Sequence, residues 1–441
     1  MSKANPLARD FTFLSLIRYA LPTIGSMVMF SIYTIIDGVF VARYAGPVSL
    51  AAINIVYPFI NILIGITIMF ASGGSAVVAK TMGERQPLLA SKRFTQTVCI
   101  AAAIGTAIGV IGFAFHDTVI IVLGATESLY EDCLLYLLPM LIFAPVMVVN
   151  FIFDYFFITA GKPGLSLGLS VLSGAVNITL DYVLIAKLGW GISGAAWATV
   201  TSYAVATVIG LFYFSSPWSR LRFRRFHLEQ AVLVKTLTNG SSEMVTQLSL
   251  GITTYLFNLF TLKYAGEAGI AAITIILYSE MLLTAVYMGF TYGVAPVFSY
   301  NLGAMRRDKI LHTLKLSLFF LAIASVMSFS MAQLFAANLV QIFAAADGEV
   351  AALATTGLVL FALSFLGCGF NLFVSGFFTA LGNGHVSACC SFLRNLIGIG
   401  LFLFLLPRFW GITGVWLAVP AADGCVLLLS AWLIWDYCKV R

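Results

Sequence analysis

Residues 44–53 read Tyr44-Ala45-Gly46-Pro47-Val48-Ser49-Leu50-Ala51-Ala52-Ile53, and 220 positions later residues 264–273 read Tyr264-Ala265-Gly266-Glu267-Ala268-Gly269-Ile270-Ala271-Ala272-Ile273. Gly73 with Gly293 and Gly83 with Gly303 keep the offset of 220. Near the ends of the halves, Trp190-Gly191-Ile192-Ser193-Gly194 answers Trp410-Gly411-Ile412-Thr413-Gly414, again at 220. Phe156-Phe157 and Gly161 answer Phe377-Phe378 and Gly382 one residue out of step. An ordered series of this kind is the mark of a duplicated unit, so each half is expected to fold alike.

What is duplicated follows from composition. Of 441 residues, 61% are hydrophobic and 10% charged, against about 25% charged in a soluble domain. Mean hydropathy is +1.00. No polar stretch is long enough to coat a water-soluble globule. Twelve apolar runs reach the ~20 residues needed to cross a bilayer. They lie near 14–41, 49–78, 94–115, 130–158, 164–186, 191–214, 237–262, 269–299, 313–336, 352–380, 386–406 and 411–435. The expected fold is all-α and membrane-integral, with twelve spans in two pseudo-symmetric six-helix lobes. The lobes are placed at 1–214 and 236–441, joined by a basic connector at 215–235. Six spans per half start both halves on the same side, so the relating axis runs along the membrane normal. The first run follows Lys3, Arg9 and Asp10 and is expected to be a retained span, not a leader.

Placing the N-terminus in the cytoplasm puts 19 of the 24 Lys and Arg on inner loops and flanks, and leaves Arg43, Lys187, Lys263 and Arg408 outside and Arg394 within a span. The positive-inside rule therefore expects both termini in the cytoplasm, in the plasma membrane. The net charge of +6 is scattered in short clusters, which argues against a nucleic-acid partner. Seven cysteines lie in or beside apolar runs without pairing or a His framework, so neither disulfides nor zinc are expected. There is no P-loop, G-x-S-x-G or H-E-x-x-H string, and an enzyme is not expected.

A charge in mid-bilayer costs roughly 2.5–3.5 kcal/mol on insertion scales and so normally faces a cavity or a partner. Asp37, Asp154, Asp181, Glu243, Glu280, Arg394 and Asp423 fall inside spans. At about 1.5 Å per residue, Asp37 and Asp181 both reach the outer half of their outward-running helices and are able to meet. Asn177 and Ser173 continue the Asp181 face, and Thr199 approaches it from the next span. Such oxygens suit either a cation or a proton, the alternative being a polar clip between helices. In span 4, Tyr136, Met140, Phe143, Met147, Asn150 and Asp154 recur at three and four, as an adaptable wall ending in a carboxylate fit for a cationic organic ligand. Ordinary helix packing explains that stripe equally. Glu280, Thr284, Tyr287, Met288 and Thr291 share one face of span 8, resembling a cavity lining, whereas Arg394 and Asp423 read as a structural ion pair and Glu243 as a snorkelling acid. Pro22, Pro58, Pro139, Pro145, Pro296 and Pro420 interrupt spans and invite bends.

These features together resemble the multidrug and toxic compound extrusion (MATE) family, and its MepA-like branch in particular: twelve spans, the 6+6 repeat, Pro22 and Asp37 on span 1, Asn177 and Asp181 on span 5, and the turns Met82-Gly83-Glu84 and Leu302-Gly303-Ala304. The resemblance implies a V-shaped pair of lobes and a secondary exporter of bulky, often cationic drugs or dyes, driven by H+ or Na+ and needing no cofactor. It further implies a coupling site of Asp37, Asn177, Asp181 and Thr199, the first three being the metal ligands if the ion is Na+. Asp154 answers to a substrate contact, with Asn150, Met147, Phe143, Glu280, Tyr287 and Met288 expected around the substrate. A monomer in contact with membrane lipid is expected. The alternative is a lipid-linked oligosaccharide flippase of the same superfamily, which would line its cavity with bases, whereas only Arg394 is mid-span.

Overall fold

A positive φ at Gly46 (94°) and at Gly266 (62°) breaks the chain at equivalent points of the two halves. Only glycine takes that region without strain, so it ends one span and re-aims the next. The break at Gly266 divides a continuous helical stretch of 74 residues, Gln230–Gly303, into two crossings. One crossing of that length would be about 111 Å long against a hydrocarbon core of about 30 Å. The same handedness recurs at Gly191 and Gly411 (both 55°) and at Gly161 and Gly382 (77° and 79°), so the repeat is written in the backbone as well as in the residue types.

The computed structural model of the chain describes residues 5–343 and 348–439. Lys3 and Arg441, counted above among the basic flanks, lie outside them. Among the described residues there is helix and no strand. Twelve spans follow in order. Those of the first half are Phe13–Ala45, Ala51–Gly83, Pro87–Ala114, the bent pair Tyr130–Ile142 and Ala144–Thr159, Pro163–Lys187 and Gly191–Ser215; those of the second are 230–265, 267–303, Arg307–Gln341, Gly348–Ala380, Gly384–Trp410 and Ile412–Lys439. Helix resumes at Gln230, so the non-helical part of the connector is shorter than the 215–235 read from the sequence.

Two apolar cores form, one within each half. The exception is the chain start: Leu7, Phe11, Leu16 and Ala20 pack into the core of the second half. Asn301 Nδ2 donates to Leu7 O (3.4 Å), and Lys309 Nζ donates to Ala8 O (3.3 Å).

The halves meet most closely at the end that carries the basic loops. A methyl group at Gly83 would stand 2.0 Å from Tyr300 O, and one at Gly303 2.0 Å from Lys80 O. Gly73 meets Thr236 O and Gly240 meets Met69 O in the same way, while Gly289 and Gly293 of span 8 lie against Thr23 and Ile24 of span 1. Small residues let backbones touch in lipid, where no hydrophobic drive between helices exists. Toward the opposite, distal end the contact thins to side-chain tips: the Tyr278 hydroxyl stands 3.7 Å from where a Gly38 Cβ would be. Span 2 records the gradient along its length. From Thr67 to Ala79 every residue but Met69 is buried, whereas Ala51, Asn54, Tyr57 and Ile62 form an exposed stripe.

Candidate functional site

Three stretches of π-helix occur among the described residues: Val41–Ala45, Asp181–Lys187 and Leu393–Gly398. The first begins one turn after Asp37, the second starts at Asp181, and the third contains Arg394. A π turn widens the helix and re-aims the residue that opens it, and such bulges gather at working positions. Here they accompany three of the charges that the bilayer makes costly.

Span 1 packs along span 5 and their two π turns meet, which brings Asp37 and Asp181 face to face within electrostatic reach. Asn177 lies one turn before Asp181 and is buried with it. Asp181 is fully buried, at 0% exposure, while Asp37 is half-buried. Both carboxyl oxygens of Asp181, Oδ1 of Asp37 and Oδ1 of Asn177 are buried without a hydrogen-bond donor from the protein. Buried acceptors without donors are costly, and carboxylates more so than amides. One shared proton or one cation between the two acids removes that cost. Two carboxyls and an amide make a hard oxygen set, and among the described residues no cluster of three or more His, Cys, Asp and Glu gathers as a polydentate metal centre.

The neighbouring residues divide. Thr199 is half-buried on span 6; its carbonyl accepts from Ser202 Oγ (2.7 Å), and its own hydroxyl makes no hydrogen bond to the acids. Ser173 donates to Ser202 O (3.2 Å) and so serves as a clip between spans 5 and 6. Tyr33 packs against Gly174, where a Cβ would lie 3.2 Å from its ring.

Several expected substrate contacts are placed otherwise. Span 4 bends by 60° at Phe143, because Pro139 and Pro145 flank that residue and each removes a backbone hydrogen bond. The stripe from Tyr136 to Asp154 is therefore not one continuous face. Tyr136, Met140, Met147 and Asn150 are buried within the first half, and Phe143 sets its ring edge-on to Trp197 at 5.8 Å. Asp154 stays half-buried, with Ser166 of span 5 beside its carboxyl. Tyr287 does not line a cavity: it is 0% exposed, its ring is pressed onto Gly369, and its hydroxyl donates to Phe365 O (3.3 Å). It occupies the helix face turned toward spans 9 and 10.

Met288 lines a chamber inside the second half with Glu243, Thr291, Tyr292, Arg394 and Asn395. At about 20 Å3 the chamber has room for a water molecule and none for a bulky organic compound. Arg394, on its wall, belongs to the expected ion pair. Arg394 Nε lies 2.5 Å from Asp423 Oδ1 and Nη2 3.3 Å from Oδ2, in the two-pronged arrangement that guanidinium and carboxylate favour. Asn371 Nδ2 donates to Asp423 Oδ1 (3.0 Å), Ser430 Oγ to Asn371 Oδ1 (2.8 Å) and Arg394 Nη1 to Asn395 Oδ1 (3.0 Å). Glu280, half-buried, lies within reach of both charges of the pair.

Glu243 does more than snorkel. Tyr292 Oη donates to Glu243 Oε2 (3.3 Å), and the Tyr292 ring packs against Tyr155 of the first half with centroids 5.1 Å apart. An acid of the second half is thereby joined, through Tyr292, to Tyr155, the residue next to Asp154. Sequence reading missed this bridge; the only sign was a Tyr directly after Asp154 in a run of phenylalanines.

The MatE family model matches residues 22–183 and again 243–403, once in each half. The chain belongs to the MatE family. The first match runs from Pro22 past Asp181, and so takes in the facing acids. Among relatives of this MatE protein, the multidrug export protein MepA of Staphylococcus haemolyticus is 24% identical over 419 residues, covering 94% of this chain and 92% of the relative. A solved MATE structure in complex with MaL6 superposes with a TM-score of 0.94 at 21% identity, covering 100% of this chain and 98% of the other. An outward-facing multidrug resistance MATE transporter of the MOP superfamily gives 0.93 at 20% identity, over 100% and 98%. The twelve-span, two-lobed fold and membership of a transporter family are thereby established for this MatE protein.

Proposed function

We propose that this MatE protein is a secondary exporter that exchanges H+ or Na+ for bulky, often cationic organic compounds across the plasma membrane, acting as a monomer with both termini in the cytoplasm. The observation that carries the reading is the set of four donor-less oxygens on Asp37, Asn177 and Asp181. A clip between helices would have found donors; an exchange site has to leave them free. The multidrug export named for the relatives supports the substrate class.

The two lobes, joined through the connector, rock about the seal at the basic end. By the positive-inside rule that end faces the cytoplasm, so the conformation is closed inward and opens toward the distal side. The ion enters from the distal side at Asp37 and Asp181 and lowers affinity for a compound held near Asp154. Coupling needs the two ligands to prefer different states, since a ligand that binds both equally shifts nothing. The flippase reading gains nothing from the fold, because the one mid-span base, Arg394, is consumed by Asp423.

The test is dye efflux in everted vesicles with a proton or a sodium gradient imposed separately. One gradient should drive efflux by the wild type, and Asp37→Asn should abolish it at unchanged expression. Efflux that persists in the variant rejects the assignment.

A further inference from the structure

Span 3, Pro87–Ala114, has 28 residues, about 42 Å of helix against a hydrocarbon core of about 30 Å. Counting a core's length of about 20 residues back from Ala114 ends at Thr95. Exposure agrees: between Ala90 and Val98 no residue is exposed, and from Cys99 outward Ala103, Ala107, Val110 and Ile111 form the exposed, lipid-facing stripe. Thr95 therefore marks the depth of the headgroup layer.

The connector is stapled to span 3 at that depth. Arg222 N donates to Ser91 Oγ (3.4 Å) and Arg224 N to Thr95 Oγ1 (3.0 Å). Gln96 exchanges a pair of bonds with the Glu229 backbone (3.0 and 3.1 Å), and Arg93 Nη2 meets Glu229 Oε2 at 3.1 Å. Leu221 is buried and the Phe223 ring packs against Phe94 (5.2 Å), so one side of the connector is anchored in the lobe. Between span 3 and the connector, Thr95 and Phe223 form the floor of an open groove that Arg224, Arg225, Phe226 and His227 complete. Arg224 and Arg225 are exposed, and no described carboxylate lies within 4.0 Å of either guanidinium. Trp218, 85% exposed, stands on the same connector as a residue of the type that settles among headgroups.

We propose that this groove binds the phosphate headgroup of an anionic phospholipid, gripped by Arg224 and Arg225 with the acyl chains running down the Cys99 stripe of span 3. Charge complementarity and depth select the occupant. Two unpaired guanidiniums on a preformed backbone sit where lipid phosphates lie, and an apolar helix face continues below them. The bound lipid would hold the connector, the link between the lobes, against the first lobe. The proposal depends neither on the transported compound nor on the coupling ion.

The experiment uses the purified full-length chain in nanodiscs of phosphatidylcholine alone or mixed with phosphatidylglycerol. Bound lipid is counted by native mass spectrometry and the melting temperature is measured in parallel. Wild-type protein should retain phosphatidylglycerol and melt higher in its presence, and R224Q/R225Q should bind it roughly thirtyfold more weakly, with unchanged melting in phosphatidylcholine. R224K/R225K should keep most of the binding. Inorganic phosphate added to phosphatidylcholine discs should give no protection. Equal retention by the glutamine variant overturns the proposal, and so does protection by phosphate alone, which would make the groove a soluble-anion site. If the glutamine variant fails to fold, wild-type binding that is unmoved between about 0.05 M and about 0.5 M salt overturns it as well.

Discussion

Gly83 and Gly303 pack reciprocally: each lies against a backbone carbonyl of the other's helix, Tyr300 O for Gly83 and Lys80 O for Gly303. Lys80 and Tyr300 are themselves 220 positions apart, so the contact is the pseudo-twofold axis made visible. Each half closes the seal with the element the other half uses. An added methyl at 2.0 Å from a carbonyl has no side chain to push aside. Gly83→Ala or Gly303→Ala should therefore destabilise the sealed state by roughly 1–3 kcal/mol. Hydrogen exchange should accelerate over residues 67–83 and 289–303, and dye efflux should fall. Unchanged exchange in both variants would show that the lobes close without this contact.

The facing acids predict a trade between stability and transport. Asp181 is buried with no donor from the protein to either oxygen, so an amide in its place gives up no hydrogen bond. Asp181→Asn should melt at the same temperature as wild type or higher while losing ion-driven efflux. A structural clip would behave oppositely, with the variant melting lower and any pumping loss following the loss of folded protein.

The features legible in the sequence are those with a physical cost that leaves few alternatives. Gly46 and Gly266 stand out as repeat partners because a positive φ requires glycine, and Arg394 and Asp423 read as a pair because neither is tolerable alone in lipid. What stayed hidden is which face of each helix turns inward. In a soluble protein an apolar stripe marks the core; in a bilayer the lipid-facing side is apolar too, and periodicity loses its sign. Tyr287 was thus read as a cavity residue although it lies in the core of the second lobe. The span 4 stripe failed for another reason: the helical count assumed a straight rod through Phe143, where two prolines bend it by 60°.

The ion pair of the second lobe should behave as a unit. Arg394→Met leaves Asp423 charged at 1% side-chain exposure, at a cost of about 3–5 kcal/mol. Adding Asp423→Leu should recover most of that loss, giving a double variant more stable than either single one. Thermal unfolding of the four proteins in one detergent checks this, and additive losses would mean that the two residues act independently.

The chain start is strapped to the far lobe. Lys309 Nζ lies 2.6 Å from Asp10 Oδ1, and His312 Nε2 donates to Phe11 O at 2.9 Å. Hydrogen bonding and charge from Lys309 hold the Asp10 carboxyl below its ordinary value of 3.8. A lowered carboxyl contributes stability that is complete above the unfolded value and is lost as pH falls through the lowered one. The Asp10 contribution to the docking of residues 5–12 should accordingly be complete above about pH 5 and be lost below about pH 4. Lys309→Met should raise hydrogen exchange over the same residues at neutral pH. Equal protection in the variant would place the hold in Leu7 and Phe11 alone.

Tyr278 brings the second half up to the facing acids proposed as the exchange site. Its hydroxyl stands 3.7 Å from the Cβ position of Gly38, next to Asp37, and lies within electrostatic reach of both Asp37 and Tyr57. On the proposed exchange, a hydroxyl so placed faces an acid whose charge changes. Tyr278→Phe removes the hydroxyl and keeps the ring, so the lobes should still pack and the compound should still bind. Ion-driven efflux should fall while equilibrium dye binding without a gradient stays unchanged. Asp37→Asn, by contrast, should abolish driven efflux altogether. Wild-type efflux by the phenylalanine variant would confine coupling to the first lobe, and an equal loss of binding would assign Tyr278 to the compound and not to the ion.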